Sequence, residues 1–386
     1  MDDDKKIILI FNEYYLPGYK AGGPIRSVSN LVSWLGDEVR FKIFTTDRDS
    51  FETKPYPGVE VDSWNSVNNA EVYYCSKASL NIRTILKFLK HTEFDLVYFN
   101  SLFNLYFTLV PLFLLKHVLK FGRRKIVLAP RGELDTGDLE NKHLKKQLFI
   151  RIANCTGIYS GIKWQATNEV EKNSISEYLS VNPDNISVVS NLAQKHNHEP
   201  EDVTVTQNGT LKIVYLSRVT PKKNLLFALD VLASISDQKV QFDIYGVIDD
   251  EKYWAKCKNK IQKLGANIDV NYKGILKHHE VINVISDYHL FFLPTKGENF
   301  GHAIYESIIA GTPVLISTET PWKMLEEKEV GWDLPLSRRE KFVEVIRNIS
   351  KLSGDQIRGM KENVQEQSRL LDPNKVEHYR DLFNLQ

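Results

Sequence analysis

Short β-rich runs alternate with helical runs along nearly the whole chain, and that alternation, interrupted once, limits what the chain can fold into. In the first half the runs are KKIILIF (5–11), VRFKIFTT (39–46), DLVYFN (95–100), KIVLAP (125–130), KWQATN (163–168) and ISVVS (186–190). Compact apolar strands separated by helices suit a parallel sheet covered on both faces, and right-handed crossovers make such a sheet doubly wound. The stretch AQKHNHEPEDVTVTQNGT (193–210) breaks the pattern: it is polar, holds Pro200 and Gly209, and has neither helical nor strand period. Alternation then restarts with LKIVYLS (211–217), VQFDIYG (240–246), IDVNYKG (268–274), HLFFLPT (289–295) and TPVLIS (312–317). The reading is two doubly wound α/β domains, 1–192 and 211–371, joined by a linker over 193–210. The tail DPNKVEHYRDLFNLQ (372–386) reads as an amphipathic helix expected to pack back on the first domain. Ligands of open α/β sheets sit beyond the carboxyl ends of the strands, so a site is expected there, facing a cleft.

Composition excludes several classes. With 386 residues the chain exceeds one ordinary core, and 42% apolar with 26% charged residues is a globular balance rather than a disordered one. A net charge of +1 argues against a general nucleic-acid binder. Cys75, Cys155 and Cys257 are too far apart for a zinc or redox motif, which points to a reducing compartment. The start, MDDDKKIILIFNEYY, lacks the basic and long apolar segments of a secretory leader. The run LFNLYFTLVPLFLL (102–115) is shorter than the ~20 residues of a spanning helix and contains Asn104 and Pro111. It is expected to be a buried helix in a soluble, cytoplasmic protein.

Two strand-to-helix turns are suited to an anion. After the first strand comes YLPGYKAGGPIRSVSNL, where Gly22 and Gly23 precede Pro24, a residue that fits a helix's first turn. Such a turn offers free backbone N–H groups to a phosphate, or it is simply a tight turn. Asp47 stands about where a dinucleotide's ribose acid belongs, but Gly18, Gly22 and Gly23 lack the G-x-G-x-x-G spacing. In the second domain SRVTPKKNLL places Arg218 and Lys223 after a strand, where they can neutralise a diphosphate or remain solvated cations.

The stretch KGENFGHAIYESIIAGTPVLIS (296–317) carries Glu298 in a strand-to-helix loop and Glu306 a turn inside the helix. Glu298 is explained blandly by favourable charge near a helix start. Glu306 has Ala303 and Ala310 as its helical neighbours, a small face that lets hydroxyl groups approach.

Taken together, ENFGHAIYE with its E-x7-E, the SRVTPKKNL loop and GGPIRSVSNL resemble the retaining glycosyltransferases of family 4, as do LAPRGELD, IYGVIDDEKYW and TPWKMLEEKEVGWDLP in their order. The resemblance implies the GT-B fold, two Rossmann-like domains facing across a cleft, and transfer of a hexose-type sugar from a nucleoside-diphosphate donor. It implies that Glu298 holds donor-sugar hydroxyls, with the amides of Asn299, Phe300 and Gly301 nearby. Glu306 would accept from the ribose; Arg218 and Lys223 would stabilise the leaving diphosphate, helped by the backbone at Gly22 and Gly23. The base would lie near Gly246 and the turn from Gly274 to Leu276. No metal or other cofactor is expected, because fixed cations and helix starts can take the leaving charge; Asp2–Asp4 and Asp249–Glu251 read as solvated acids.

Many relatives carry a histidine after the strand matching DLVYFN, where this chain has Asn100, which cannot titrate near neutrality. Arg131, with Glu133 beside it, is the candidate for positioning the acceptor, a saccharide or a lipid-linked sugar; the alternative is a salt bridge. Basic clusters at Lys116, Lys120, Arg123, Arg124 and Lys125, and at Lys142, His143, Lys145, Lys146 and Arg151, suit peripheral contact with an anionic membrane or ordinary solvated helices. The expected activity is metal-independent, in bacterial surface polysaccharide or glycolipid synthesis. The alternatives are a catalytically silent nucleotide-sugar binder and a GT-B sugar epimerase or phosphorylase.

Overall fold

The computed structural model describes residues 5–122, 125–134, 143–195, 209–369 and 376–385. Asp2–Asp4, Arg123, Arg124, Lys142, the side chains of 143–148 and 152, and most of the expected linker (196–208) lie outside the described residues. The chain divides into two units, Met1–His196 with Pro373–Gln386, and Asn197–Asp372. Its strands are β1 (Ile7–Phe11), β2 (Arg40–Thr46), β3 (Trp64–Val67), β4 (Ala70–Cys75), β5 (Leu96–Phe99), β6 (Ile126–Leu128), β7 (Lys163–Ala166) and β8 (Ile186–Val188) in the first unit. The second unit holds β9 (Thr210–Leu216), β10 (Lys239–Tyr245), β11 (Ile268–Gly274), β12 (Leu290–Leu293), β13 (Val314–Ser317) and β14 (Gly331–Leu334).

The first unit's sheet runs β3-β4-β2-β1-β5-β6-β7-β8. It is parallel except for β3, which pairs antiparallel with β4 across a two-residue turn at Asn68–Asn69. Alternate residues of the central strands serve opposite faces. Leu9, Phe11, Val97 and Phe99 enter one core, and Ile8, Ile10, Leu96 and Tyr98 the other, so both faces are covered as a parallel sheet requires. Phe11, Phe44 and Phe99 form the centre of the first of these, with ring centroids 5.2 and 5.5 Å from Phe11. The helix Val376–Phe383 belongs to this unit and buries Tyr379, Leu382 and Phe383 in the second core. Arg380 forks onto Glu38 at 2.9 and 2.5 Å.

The second unit's sheet, β11-β10-β9-β12-β13-β14, is wholly parallel around a single core. Strands β3, β4 and β14 were not expected from the sequence. WNSV and GWDL are too short and too mixed to stand out from loops, and sheet pairing alone makes them strands.

The run after β5 departs from the expected buried helix. Residues 105–118 form one continuous helix that widens to π-turns on either side of a single α-turn containing Pro111. Proline lacks the N–H an α-turn would use, and the wider turns accommodate that loss. Phe107, Leu112, Leu114 and Leu115 face the core, while Leu105, Phe113 and Val118 are exposed. Among the described residues no helix is long and apolar enough to cross a membrane.

In each unit the strand order reverses once, between β1 and β5 in the first and between β9 and β12 in the second. Adjacent strands whose crossovers leave in opposite directions open a crevice at their carboxyl ends, where ligands of such sheets bind.

Candidate active site

In the second unit the loops after β9 and β12 are joined backbone to backbone. Lys296 N donates to Lys222 O at 2.7 Å, Thr295 Oγ1 to the same oxygen at 3.2 Å, and buried Asn224 donates to Pro294 O at 3.0 Å. This zipper brings Lys223 and Glu298 together, 75 residues apart in sequence, as an ion pair between Lys223 Nζ and Glu298 Oε1. Both side chains are largely buried, at 11% and 15% exposed. Burial pulls the Lys223 ammonium below the usual lysine range while the Glu298 carboxylate holds it up. The pair is a concentrated, preorganised dipole at the reversal point.

Arg218 lies on the same loop, half exposed, and donates to Asp249 Oδ2 at 3.0 Å. An exposed pair of this kind contributes little, so an incoming phosphate competes for the guanidinium with a weak partner. Gly246 is required where it stands. Its φ is +138°, and a Cβ there would fall 1.9 Å from Ser217 O. Its N–H donates to Gly274 O at 2.7 Å and Val219 N donates to Val247 O at 2.8 Å, which together join the loops carrying Arg218, Gly246 and Gly274. Leu276, just beyond, is half buried against the core.

Gly301 caps the helix His302–Ile309 in the left-handed region at φ +81°. Phe300 is buried, and its carbonyl accepts from Trp322 Nε1 at 2.5 Å; Trp322 in turn stacks on Tyr305 at 5.7 Å. These rings hold the ENFG loop from beneath and leave Asn299 half buried. Glu306 is 3% exposed, with His278 Nδ1 3.8 Å from its Oε1. The two glutamates therefore face different groups, Glu298 an ammonium and Glu306 an imidazole. Asp249, read from sequence as a solvated acid, instead pairs with Arg218, and neither His278 nor Trp322 was given a site role, since each joins the site through a loop distant in the chain.

In the first unit Gly22 has φ +68° and starts the helix Gly23–Leu35 without a side-chain cap. A Cβ on Gly22 or Gly23 would meet nothing within 4 Å. The loop before it is pinned by Asp49, whose Oδ2 accepts from Tyr19 N at 2.7 Å and Lys20 N at 3.0 Å. Asn100 is buried directly after β5. Its amide donates to Asn12 Oδ1 at 2.9 Å and Pro24 O at 3.4 Å, and its Oδ1 accepts from Arg131 Nε at 2.5 Å. The remaining Arg131 donors reach Asn191 Oδ1 and Tyr98 Oη. Tyr98 continues to Gln165 at 2.6 Å, and Gln165 to Tyr379 of the C-terminal helix at 2.9 Å. Neutral acceptors, not a carboxylate, take these Arg131 hydrogen bonds, so they do not make the salt bridge weighed from sequence. Glu133 accepts from Ser101 Oγ and the N–H groups of Leu102 and Phe103, fixing the loop that follows Asn100. Among the described residues no three His, Cys, Asp or Glu side chains converge as a metal-ligand set.

Solved structures share this architecture end to end. HepE of Anabaena, solved with UDP and glucose, matches with a TM-score of 0.67 at 15% identity, covering 98% of each chain. The fold is GT-B. Sucrose-phosphate synthase of Thermosynechococcus elongatus shares this GT-B fold with a TM-score of 0.68 at 15% identity, over 99% of this chain and 100% of that one. Residues 199–368, nearly the whole second unit, match the family of group 1 glycosyl transferases. The Escherichia coli K12 protein WcaL, whose name proposes a glycosyltransferase of colanic acid biosynthesis, is 23% identical over 175 residues. That alignment takes in 44% of this chain and 41% of WcaL, so the GT-B chain described here matches about two fifths of that relative's length.

Proposed function

We propose that the chain is a retaining, metal-independent glycosyltransferase of family 4 that moves a hexose-type sugar from a nucleoside diphosphate to a saccharide or lipid-linked acceptor. The observation that carries this reading is the buried Lys223–Glu298 pair at the strand reversal of the unit matching group 1 glycosyl transferases. Bond cleavage at the anomeric carbon leaves negative charge on the diphosphate. Lys223 is a fixed donor for that charge and needs little reorganisation as it develops, and Arg218 exchanges its weak Asp249 partner for the phosphate. Glu298 accepts from donor-sugar hydroxyls while its second oxygen keeps Lys223 in place, with Asn299, Phe300 and Gly301 lining the sugar and phosphate. Buried Glu306 accepts from the ribose hydroxyls, and the base rests along Gly246, Gly274 and Leu276. Gly22 and Gly23 offer further backbone donors to the diphosphate.

The acceptor is assigned to the first unit, where Asn100 and Arg131 act as positioning residues because their own hydrogen bonds are internal. HepE, solved with UDP and glucose, makes UDP-glucose the first donor to try. The exposed Leu105, Phe113 and Val118, together with Lys120, support peripheral contact with an anionic membrane on the cytoplasmic side, as suits bacterial polysaccharide or glycolipid synthesis. Calorimetry with UDP-, GDP-, ADP- and CMP-sugars, followed by assay of nucleotide release, tests the proposal. Tight binding with release of the nucleoside diphosphate supports it. Binding without release from any donor converts the protein into a silent nucleotide-sugar binder.

A further inference from the structure

The reversal point of the first unit holds a carboxylate with no role in the scheme above. Glu13 follows β1 by two residues and is half buried. Its backbone is held tightly: the carbonyl accepts from Thr46 N at 3.0 Å, Thr45 Oγ1 at 3.1 Å and Thr46 Oγ1 at 2.7 Å. Its side chain is held as well, by Asn104 Nδ2 donating to Oε2 at 2.8 Å, while Asn104 itself caps the helix after β5. Asn12, one residue earlier, joins Asn100 on Pro24 O. Glu13 therefore sits where the ends of β1 and β5 meet the start of the helix Gly23–Leu35.

Accounting for the other carboxylates at these strand ends sets Glu13 apart. Asp47 is taken by Arg48 at 2.7 and 3.0 Å. Asp49 is taken by the N–H groups of Tyr19, Lys20 and Ser50. Glu133 serves the loop 101–103, and Glu171 accepts from Gly132 N and from Thr167 N and Oγ1. Each of these is discharged by a cation or by backbone donors. Glu13 has two neutral partners, the Asn104 amide and the Tyr14 hydroxyl, and, among the described residues, no cation. A carboxylate has about four acceptor sites, so this one keeps capacity for incoming O–H donors. Burial pushes its carboxyl above the usual range, as expected for a group without a compensating charge.

We propose that Glu13 is the acceptor-binding carboxylate, taking hydrogen bonds from hydroxyl groups of a saccharide acceptor at the β1/β5 reversal. The assignment rests on the transferase reading and deepens it by naming a contact for the acceptor. Asn104 and Asn12 are its positioning residues, the first through the side chain and the second through the neighbouring turn.

The test uses the full chain with UDP-glucose and octyl glucoside, octyl galactoside and octyl mannoside as acceptor probes. Glu13→Gln preserves size and the Asn104 bond while removing the charge. It is expected to raise the acceptor KM at least tenfold, with kcat changed less and the Kd for UDP and the melting temperature unaltered. Glu13→Asp, which keeps the charge on a shorter arm, is expected to fall between the two and guards against a folding defect in the first variant. Wild-type acceptor KM in Glu13→Gln overturns the assignment. So does an equal loss of UDP affinity, which would make Glu13 a donor or scaffold group. Failure of the unaltered protein to bind or release nucleotide from any sugar donor removes the transferase reading itself, and that result needs neither acceptor nor variant.

Discussion

Both units place a glutamate just beyond the two strands where the sheet order reverses, yet they compensate it differently. Glu298 after β12 is met by the ammonium of Lys223; Glu13 after β1 is met by neutral donors, the amide of Asn104 and the hydroxyl of Tyr14. A carboxylate held against an ammonium forms a fixed dipole, the arrangement suited to charge that develops and leaves. A carboxylate beside an amide keeps unspent accepting capacity, which suits hydroxyl groups that arrive and depart neutral. The same topology thus yields two kinds of site, and the difference lies in whether the glutamate's partners are ionic or neutral.

The comparison is broken most readily at its strongest point. Lys223→Ala is expected to lower kcat about 100-fold or more while donor Kd changes only a few-fold, since the ammonium acts on leaving charge; steady-state kinetics with parallel calorimetry checks this. Asn104→Ala in the first unit should cost less than a tenth as much in kcat. Equal losses at the two positions would erase the distinction between an ionic and a neutral partner.

Stability sharpens the contrast next. His289 in the second unit is 2% exposed, and its Nδ1 accepts from Lys212 N at 3.1 Å. Burial, then the charges of Lys361 and Lys212, push it down from 6.5 to about 4. Neutral in the fold and protonated when unfolded, it contributes stability that is complete above pH 6.5 and lost as pH falls from 6.5 to 4. The loss amounts to about 3 kcal/mol. His289→Asn keeps an acceptor for Lys212 N and should flatten that acid slope in urea titrations monitored across the pH range. An unchanged slope would place the acid sensitivity elsewhere.

Smaller effects follow. Glu306→Ala is expected to weaken UDP binding about tenfold, the cost of leaving ribose donors unmatched, and unchanged affinity by calorimetry removes Glu306 from the nucleotide site. Asp249→Ala, which frees Arg218 from an exposed partner, should alter UDP affinity by less than about threefold. Smallest of all, chelator is expected to leave turnover unchanged; activity lost to chelator and restored by a divalent cation would replace the fixed-cation account.

Local pattern carries much of this molecule. The apolar strands of both sheets, the Gly22–Gly23 turn and the loop of Glu298 are recognisable because two-residue and helical periods are properties of adjacent residues. Gly246 and Gly301 stand where side chains would collide or strain the backbone, with φ +138° and +81°, and a glycine is visible in any sequence. The edge strand β3 and the strand β14 escaped notice because their pairing partners, not their own residues, make them strands. Helix 105–118 shows the same limit. Its composition reads as core, but Leu105, Phe113 and Val118 point outward because only one side of the helix meets the sheet's core.

What the amino-acid sequence determined by itself is the alternation of elements, hence two wound sheets, and the residue types at the strand ends. Tertiary structure alone decided who meets whom there. Strand β9 lies beside β12 and β1 beside β5 because of crossover order, and that order brings Lys223 to Glu298, Asn104 to Glu13, and Arg131 to Asn100, Asn191 and Tyr98. Periodicity acts over a few residues, whereas these contacts span 75, 91 and up to 60 residues. Burial then sets the electrostatics, since a carboxylate's chemistry depends on whether its nearest neighbour in space is an ammonium or an amide.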